Sequence, residues 1–321
     1  MVPQRLPPRS GLTTVTAPQV RSTVDAALGG QSSSVTDMTD AGASAAKLED
    51  FPGKAGPRIY FRSWRPEGAP RAILVICHGV NSHGGQYMWA AQQFANAGLA
   101  VYAIDLRGRG KSSGARFYVD DIAEYVADVA ELIRIAKSRD RGLPVFLLGH
   151  SAGGVVSATY ALDNQKELAG FICESFAFKV YAPGFALQLI KGLAAIAPRL
   201  PVLKLKMKDF TRDPEALAAL EADPLTKDEA QPAKTVAALV RADERLAKEF
   251  PRITIPVLIM HGTADKATVP AGSQFFFDTV GSKDKTLKMY EGHVHDLLND
   301  LGKEAVLADM KAWIDKHLPA G

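Results

Sequence analysis

The chain has 321 residues, of which 47% are hydrophobic and 23% are charged. These fractions are ordinary for a folded globular protein, and they exclude a chain that is largely disordered or collagen-like. Basic residues number 38 and acidic residues 35, so the formal net charge of +3 is too small to indicate nucleic-acid binding. No apolar run reaches the roughly 18 residues that a membrane-spanning helix requires.

Residues 1–46 differ from the rest of the chain, because Pro, Ser, Thr, Gly and Ala dominate their composition. Such a stretch buries too little apolar surface to offset the entropy lost on ordering, so we expect an extension that is mobile or laid over the surface. No apolar segment typical of a signal peptide follows Arg5 and Arg9. The default expectation is a cytoplasmic protein, with peripheral membrane contact as an open alternative.

The two cysteines, Cys77 and Cys173, each lie in an apolar run. Two cysteines are too few for a disulfide framework, and no Cys or His spacing indicates a zinc site. We therefore expect two inert thiols in the core and no bound metal or organic cofactor.

A strand and helix rhythm begins near residue 58. Short apolar runs predict strands at 58–64, 72–77, 100–104, 145–148, 170–174, 257–260 and 287–290. Helical spacing predicts helices at 87–97, 122–137, 152–162 and 304–317. Strands that alternate with helices predict the α/β class, with a doubly wound and mostly parallel sheet covered on both faces.

The rhythm breaks between residues 176 and 250, where the pieces 183–197, 214–222 and 233–250 are helical in pattern and no buried strand is evident. Because the strand pattern resumes at residue 257, we interpret 176–250 as a helical cap inserted into one sheet domain, formed by 47–175 and 251–321. A separate helical domain is the less favoured alternative.

The pattern Gly-x-Ser-x-Gly occupies residues 149–153 and places Ser151 between a predicted strand and a predicted helix. A sharp strand-to-helix turn needs glycines, because Cβ atoms would clash where the chain reverses direction. Such a turn holds the serine hydroxyl above the sheet edge as a candidate nucleophile. A helix N-cap role for Ser151 would not require both glycines.

A serine nucleophile needs a base and an orienting acid, which follow it in the order Ser, acid, His in folds with this turn. Asp265 follows the strand that ends at Met260, and His295 follows the last strand. Asp265 can also be a turn-forming residue. His293 competes with His295, and the residues alone do not separate the two. His78 and His261 precede glycines at strand ends, which favours local hydrogen bonding.

An acyl-transfer site also needs donors for the oxyanion. The backbone N–H of Ala152, directly after the nucleophile, is the first candidate. The loop that begins at His78 and Gly79 supplies the second, which we assign to Val80. The alternative is that His78-Gly79 only ends the strand.

Over about residues 58–318 the sequence resembles the monoacylglycerol lipase and lysophospholipase group of α/β-hydrolase-fold enzymes. The resemblance rests on the ordered motifs Arg62-Ser63-Trp64 with Pro66, HGVNSHGGQY (78–87), DLRGRGKS (105–112), GHSAGG (149–154), TRDPEALAALEADPL (211–225), HGTADKATVP (261–270) and KTLKMYEGHVH (285–295). It implies an α/β-hydrolase fold with a cap that shapes an acyl pocket.

The resemblance also implies catalytic and oxyanion-binding residues. It implies Ser151, Asp265 and His295 as the catalytic triad, since the family's histidine falls three residues after the glycine of the Tyr-Glu-Gly motif. Val80 and Ala152 are the implied oxyanion donors.

Two positions depart from the family's pattern. The family usually has Met where Ala152 stands, and it usually has Glu and Arg, which help to hold glycerol, where Ser82 and Gln86 stand. The uncharged pair favours a broader esterase over a strict monoacylglycerol lipase. Candidate substrate contacts are therefore Ser82, Gln86, Leu187, Ile190 and Val294.

The predicted cap has an apolar helix at 183–197, followed by Lys204, Lys206 and Lys208 in alternation with apolar residues. Packing onto the sheet domain is the simpler interpretation, and contact with a membrane surface is the alternative.

The sequence thus predicts a serine carboxylic ester hydrolase for a small ester or lipid. Lysophospholipid or thioester hydrolysis and acyl transfer use the same residues and stay open as alternatives. A catalytically inactive lipid-binding protein is less favoured. The Asp nucleophile of epoxide hydrolases is excluded by Ser151.

Overall fold

The computed structural model of the chain describes residues 45–54 and 56–319. The predicted extension at 1–46 therefore lies almost entirely outside the described residues. The strands are β1 (Lys47–Pro52), β2 (Arg58–Trp64), β3 (Ala72–Cys77), β4 (Leu99–Ile104), β5 (Val145–His150), β6 (Gly170–Glu174), β7 (Pro201–Leu203), β8 (Gln231–Pro232), β9 (Val257–Gly262) and β10 (Lys285–Tyr290). The α-helices are α1 (Met88–Asn96), α2 (Ile122–Arg139), α3 (Ala152–Asn164), α4 (Gly184–Ile196), α5 (Pro214–Ala222), α6 (Ala233–Glu249), α7 (Pro270–Thr279) and α8 (Lys303–Lys316).

Eight strands form one sheet in the order β1-β2-β4-β3-β5-β6-β9-β10. The first two pairings along this order are antiparallel, and all the others are parallel. This arrangement confirms the predicted mostly parallel sheet of the α/β class. Strands β3, β5 and β9 are buried along their whole length, because helices cover both faces of the sheet.

Two hydrophobic clusters lie on the two faces of the sheet. One contains buried side chains of α2, α3, α6 and α7, and the other contains those of α1 and α8. Register brings the carboxyl ends of the central strands side by side, since Cys77 of β3 pairs with Gly149 of β5 and Glu174 of β6 pairs with Met260 of β9. Loops that leave these ends therefore meet above one edge of the sheet.

The segment between β6 and β9 contains α4, α5 and α6, as the sequence pattern predicts. It also contains the pair β7 and β8, so the expectation of a wholly helical insertion is wrong in this detail. Each of these strands carries a proline, Pro201 or Pro232, which lacks a backbone donor and keeps the pairing short. Ala194 of α4 packs against Ala233 and Ala237 of α6.

Two elements have no counterpart in the predicted pattern. Strand β1 lies at the edge of the sheet and carries exposed Lys47 and Asp50, so it lacks the apolar run that marks a buried strand. Helix α7 contains three consecutive aromatic residues, 275–277, which hide helical spacing. Its Phe276 is nevertheless buried against the sheet.

Phe276 is fully buried and packs its ring against Phe171, Phe176 and Phe250. We expect Phe276→Ala to lower the free energy of unfolding by about 3–5 kcal/mol, because a cavity replaces these contacts. Urea unfolding measures this change. Phe185→Ala is the matched control, since Phe185 is 76% exposed, and its effect should stay within about 0.5 kcal/mol. Equal losses in the two variants would contradict the described packing.

Candidate active site

Ser151 lies at the turn between β5 and α3, with backbone angles φ 55° and ψ −123°. This left-handed conformation is unusual for a residue with a side chain, and the surrounding packing holds it. A Cβ atom at Gly153 would lie 2.2 Å from the carbonyl oxygen of Cys77. Only glycine fits there, so the turn packs directly against the end of β3.

The side chains of Ser151, His295 and Asp265 form a continuous hydrogen-bonded chain. His295 Nε2 lies 2.9 Å from Ser151 Oγ, and His295 Nδ1 lies 2.8 Å from Asp265 Oδ2. All three residues are at most 2% exposed. The spacing suits proton transfer from the hydroxyl to the ring, with the carboxylate orienting the ring.

His293 does not take part in this chain. Its Nδ1 lies 3.5 Å from Asp300 Oδ2, and Gly302 approaches the other edge of its ring. The ring of His295 instead lies edge-on to Phe210, with 4.8 Å between centroids. The structure thus places His295, of the two candidate histidines, beside Ser151.

The carboxylate of Asp265 accepts hydrogen bonds from several groups besides His295. The hydroxyl of Thr268 donates to Oδ2 at 2.7 Å, and His261 Nε2 lies 3.0 Å from the same oxygen. The backbone N–H groups of Ala267 and Thr268 donate to Oδ1. Burial alone would raise the pKa of Asp265, but the charge on His295 and the hydrogen bonds from His261 and His295 hold it below the ordinary value. Asp265 is therefore ionised at neutral pH.

His261 and Thr268 support Asp265, and the sequence interpretation assigned them no such role. His261 Nδ1 lies 2.7 Å from Ser273 Oγ, which leaves Nε2 to donate to Asp265. The signal available in the sequence was the position of His261 at the end of a strand, four residues before the acid. His78 makes one local contact, as expected, because its Nδ1 donates to the carbonyl of Gly79, whereas its Nε2 accepts from the N–H of Leu106, 28 residues further along the chain.

The two candidate oxyanion donors lie on either side of Ser151. Ala152 is the first residue of α3, where a backbone N–H has no partner within the helix. Among the described residues, the N–H of Val80 donates to no recorded acceptor. Both residues line the same cavity as Ser151. The two N–H groups are thus available to an oxyanion at Ser151.

A buried ion-pair network holds the loop that carries Val80. Glu229 Oε1 accepts from the N–H of Asn81 at 2.8 Å and also pairs with the guanidinium of Arg109. Arg109 Nη2 donates to Gln231 Oε1 at 2.8 Å, and the Gln231 amide donates to Glu229 at 2.6 Å. The network joins three distant parts of the chain, so no local sequence pattern marks it.

Below the site, His150, Glu174 and Asp296 form a buried cluster whose ligand atoms lie within 4.8 Å of one another. Both ring nitrogens of His150 already have partners, because Nδ1 accepts from Tyr87 at 2.9 Å and Nε2 donates to the carbonyl of His295 at 3.3 Å. Burial lowers the pKa of His150 to about 3. Because both ring nitrogens are engaged in hydrogen bonds, neither is free to bind a metal ion.

Glu174 in this cluster holds its proton more strongly than an exposed glutamate does. Burial first, and then the neighbouring charge of Asp296, raise the pKa of Glu174 well above its ordinary value. Within the described part of the chain, neither oxygen of its carboxyl group has a hydrogen-bond partner.

Ser151 opens into a cavity of about 360 Å³. Its lining is mostly apolar and comes largely from the insertion between β6 and β9, with Val180, Leu187, Ile190, Val202, Leu203, Leu205, Val236, Leu239 and Val240 among the residues. This volume lies in the range typical of small-molecule sites. Two of the candidate substrate contacts, Leu187 and Ile190, lie in this wall.

The other three candidate contacts lie outside the residues that line this cavity. Ser82 is buried, and the amide of Gln86 donates to Asp223 Oδ2 at 3.1 Å. Val294 is buried, and its N–H donates to Asp300 Oδ2 at 3.1 Å.

The two cysteines are buried in an environment that keeps them unreactive. Burial raises the pKa of the Cys77 thiol to about 12, and it also raises the pKa of the Cys173 thiol.

An eight-stranded, mostly parallel sheet with a Ser-His-Asp chain on the loops at its carboxyl edge defines a serine hydrolase of the α/β-hydrolase fold. Comparison with known proteins agrees with this class. Residues 68–302 match the family Hydrolase_4, described as serine aminopeptidase, S33. The chain therefore belongs to this family.

Individual relatives place the chain more narrowly. It is 35% identical over 270 residues to a monoacylglycerol lipase of Mycolicibacterium smegmatis, which covers 84% of this chain and 96% of the relative. It is 30% identical to a monoglyceride lipase of Homo sapiens, over 82% of this chain and 88% of that one. The crystal structure of a monoacylglycerol lipase of Paleococcus ferrophilus superposes with a TM-score of 0.73 at 31% identity, over 81% of this chain and 99% of that one. The chain is a monoacylglycerol lipase-like α/β-hydrolase and a serine ester hydrolase.

The protonation of Glu174 makes a prediction about stability. In the unfolded chain a glutamate loses its proton above a pH of about 4.3, whereas folded Glu174 keeps it to a higher pH. The native protein therefore loses stability through this group as pH rises, by up to about 1.4 kcal/mol per pH unit, and Glu174→Gln removes the loss.

We expect the unfolding free energy of Glu174→Gln, relative to the native protein, to increase between pH 5 and pH 8. Urea unfolding at several pH values measures it. Glu67→Gln is the control, because Glu67 is exposed and the difference should then be flat. A flat difference for Glu174→Gln as well would show that Glu174 is ionised in the folded state.

Proposed function

We propose that this hydrolase cleaves carboxylic esters of apolar acyl groups, monoacylglycerols among them, through an acyl-enzyme on Ser151. The observation that carries the proposal is the hydrogen-bonded chain from Asp265 through His295 to Ser151, at the wall of an apolar cavity. The names of the relatives support the ester class. The apolar lining favours an acyl chain over the charged amino group of an aminopeptidase substrate.

In the proposed mechanism His295 Nε2 takes the proton of Ser151 as Oγ attacks the ester carbonyl carbon. The N–H groups of Val80 and Ala152 donate to the oxyanion that forms. Asp265 keeps the His295 ring oriented and stabilises the charged form of the ring. Hydrogen bonds from His261 and Thr268 hold the carboxylate of Asp265 in place for this role.

The tetrahedral intermediate then collapses. The C–O bond to the alcohol breaks, and His295 gives its proton to the leaving oxygen. A water molecule next attacks the acyl-enzyme while His295 again accepts a proton, and the acid leaves as Ser151 recovers its hydrogen. None of these steps uses a metal ion or an organic cofactor.

We assign residues 176–250 as a cap that shapes the acyl pocket, inserted into a hydrolase core formed by 47–175 and 251–321. The support is that most of the cavity lining belongs to this insertion. Tyr181 of the insertion also donates a hydrogen bond to the carbonyl of Asp265 at 2.9 Å. The cap thus touches the loop that carries the acid.

The alcohol specificity is proposed to be broad. Gln86 and His83 both contact Asp223 of the cap, and Ser82 carries no charge, so this loop offers a leaving group no ion pair. Lysophospholipid hydrolysis, thioester hydrolysis and acyl transfer use the same three residues and remain the alternatives. Monoacylglycerols, lysophospholipids and acyl thioesters, assayed together with nitrophenyl esters of rising chain length, separate them.

We expect Ser151→Ala to reduce nitrophenyl-ester hydrolysis by at least about 10⁴-fold and to abolish fluorophosphonate labelling, because the nucleophile is lost. Ser157→Ala is the matched control, since this buried serine lies on α3 away from the cavity lining. It should keep both activity and labelling. Retained turnover in folded Ser151→Ala would overturn the assignment. Native protein that neither turns over esters nor labels would instead support an inactive binding protein.

We also propose that the cap contacts a lipid surface through α4. Phe185, Leu189 and Ile196 are 76%, 70% and 86% exposed, whereas their neighbours Leu187 and Ile190 face the cavity. Lys204, Lys206 and Lys208 follow on the same insertion and suit an anionic surface. Within residues 45–54 and 56–319, no helix has the length and apolar character to cross a bilayer.

We expect Phe185→Asp combined with Leu189→Asp to weaken binding to phosphatidylglycerol-containing vesicles by at least about tenfold, because each apolar side chain contributes about 1.5–3 kcal/mol when buried. Vesicle sedimentation measures the binding. Met88→Asp is the control, since Met88 is exposed on α1, and binding should not change. Turnover of a water-soluble nitrophenyl ester should persist in all variants. Unchanged vesicle binding in the double variant would refute this surface.

A further inference from the structure

One carboxyl group stands in the otherwise apolar wall of the cavity. On α6, Val236, Leu239, Val240 and Asp243 occupy positions i, i+3, i+4 and i+7, so they share one helix face. All four line the cavity that contains Ser151. Asp243 is thus aligned with the side chains that contact an acyl group.

Asp243 has no partner in the protein for its buried oxygen. Its Oδ1 is buried, and among the described residues it has no hydrogen bond. Lys266 also lines the cavity, but no ion pair joins it to Asp243. Burial first, and then the charge of Glu244, raise the pKa of Asp243 well above its ordinary value. Oδ1 of the half-buried Asp243 is therefore an unused hydrogen-bonding atom in the wall of the cavity.

Asp243 lies toward the end of α6 that is remote from Glu229 and from the loop that carries Val80. Helix α6 follows directly after Glu229, which binds the loop next to Val80, and its Arg245 pairs with Asp163 near the end of α3. Helices α3 and α6 therefore run in the same direction from the Ser151 end. Val236 and Asp243 are separated by roughly 10 Å along the helix axis.

A second cavity supports this placement. It has a volume of about 450 Å³ and shares Val180, Leu187, Val240 and Asp243 with the first cavity. Asp243 thus stands at the wall between the acyl cavity and the outer one. A group that reaches Asp243 is on the distal part of a chain attached at Ser151.

We propose that Asp243 binds a hydroxyl group on the distal part of the acyl chain, so that the preferred substrates are esters of hydroxy acids. This inference rests on the proposed ester hydrolysis at Ser151. A hydroxyl group on the chain donates to Oδ1, which otherwise has no hydrogen-bond partner among the described residues. A plain alkyl chain would displace solvent from Asp243 and leave a polar group without a partner.

The test compares kcat/KM for matched nitrophenyl esters that differ by one hydroxyl on the acyl chain. The hydroxyl is moved along the distal carbons, and positions that cyclise onto the ester are left out. We expect the native protein to prefer a distal hydroxyacyl ester over its alkyl counterpart by about tenfold. Asp243→Val should reverse this preference by improving the alkyl ester. Asp243→Asn should keep most of it, because an amide also donates and accepts.

Glu249→Gln is the matched control, since Glu249 is a carboxylate of the same helix that pairs with Arg252 and lines neither cavity. It should keep the native preference. Equal effects of Asp243→Val on both esters would overturn the proposal and leave Asp243 as a group that holds water. A stronger preference for an ammonium group at the same carbon would also overturn it. Fluorophosphonate labelling and alkyl-ester turnover separate these outcomes from failure of the hydrolase assignment itself.

Discussion

The turn at Ser151 and the loop after β3 are packed so closely that neither can move alone. A Cβ atom at Gly153 would overlap the carbonyl oxygen of Cys77, and one at Gly79 would lie 2.7 Å from the Cβ atom of Ser151. Both segments are extensions of neighbouring parallel strands, which the register of β3 and β5 holds in place. In the proposed mechanism, this packing holds Ser151 and the N–H groups of Val80 and Ala152 in one geometry before a substrate binds. Such preorganisation is what an oxyanion site requires.

The acidic groups around the site differ in protonation because they differ in hydrogen-bond donors. Asp265 and Glu174 are both buried and both follow or end parallel strands. Donors surround Asp265, so its pKa falls despite burial. Glu174 is buried with Asp296 beside it, and the backbone N–H groups of Leu297 and Leu298 do not offset these effects, so its pKa rises. Hydrogen-bond donors thus favour the charged form of Asp265, whereas burial and the charge of Asp296 favour the protonated form of Glu174.

The sequence predicted those strands and helices whose pattern of apolar residues is enough to show that they are buried. Continuous apolar runs marked β3, β5 and β9 because both faces of these strands are covered. Strand β1 was not predicted, because a charged edge strand resembles a loop in sequence. Helix α7 was not predicted, because its run of aromatic residues shows no helical period. The order of Ser151, Asp265 and His295 predicted their proximity, since loops at the carboxyl edge of a parallel sheet converge.

Residues that act through distant contacts could not be recognised in the same way. Glu229 is separated from Asn81 by 148 residues along the chain, and only folding brings the two together. Asp243 lies in the charged stretch RADERLAKE, where one carboxylate among many reads as part of a solvated face. Its orientation depends on how α6 packs against α3, which periodicity alone does not fix.

Helix α6 connects the proposed cap to the residues around Ser151. The residues just before it bind the oxyanion loop, its middle lines the acyl cavity, and Arg245 near its end pairs with Asp163 of α3. Moving this helix away would separate Glu229 from Arg109, and breaking a buried ion pair costs about 3–5 kcal/mol. Helix α4 has no comparable buried pair, since its ion pair from Lys191 to Glu244 is partly exposed. Displacing α4 would therefore cost less in broken ion pairs than displacing α6.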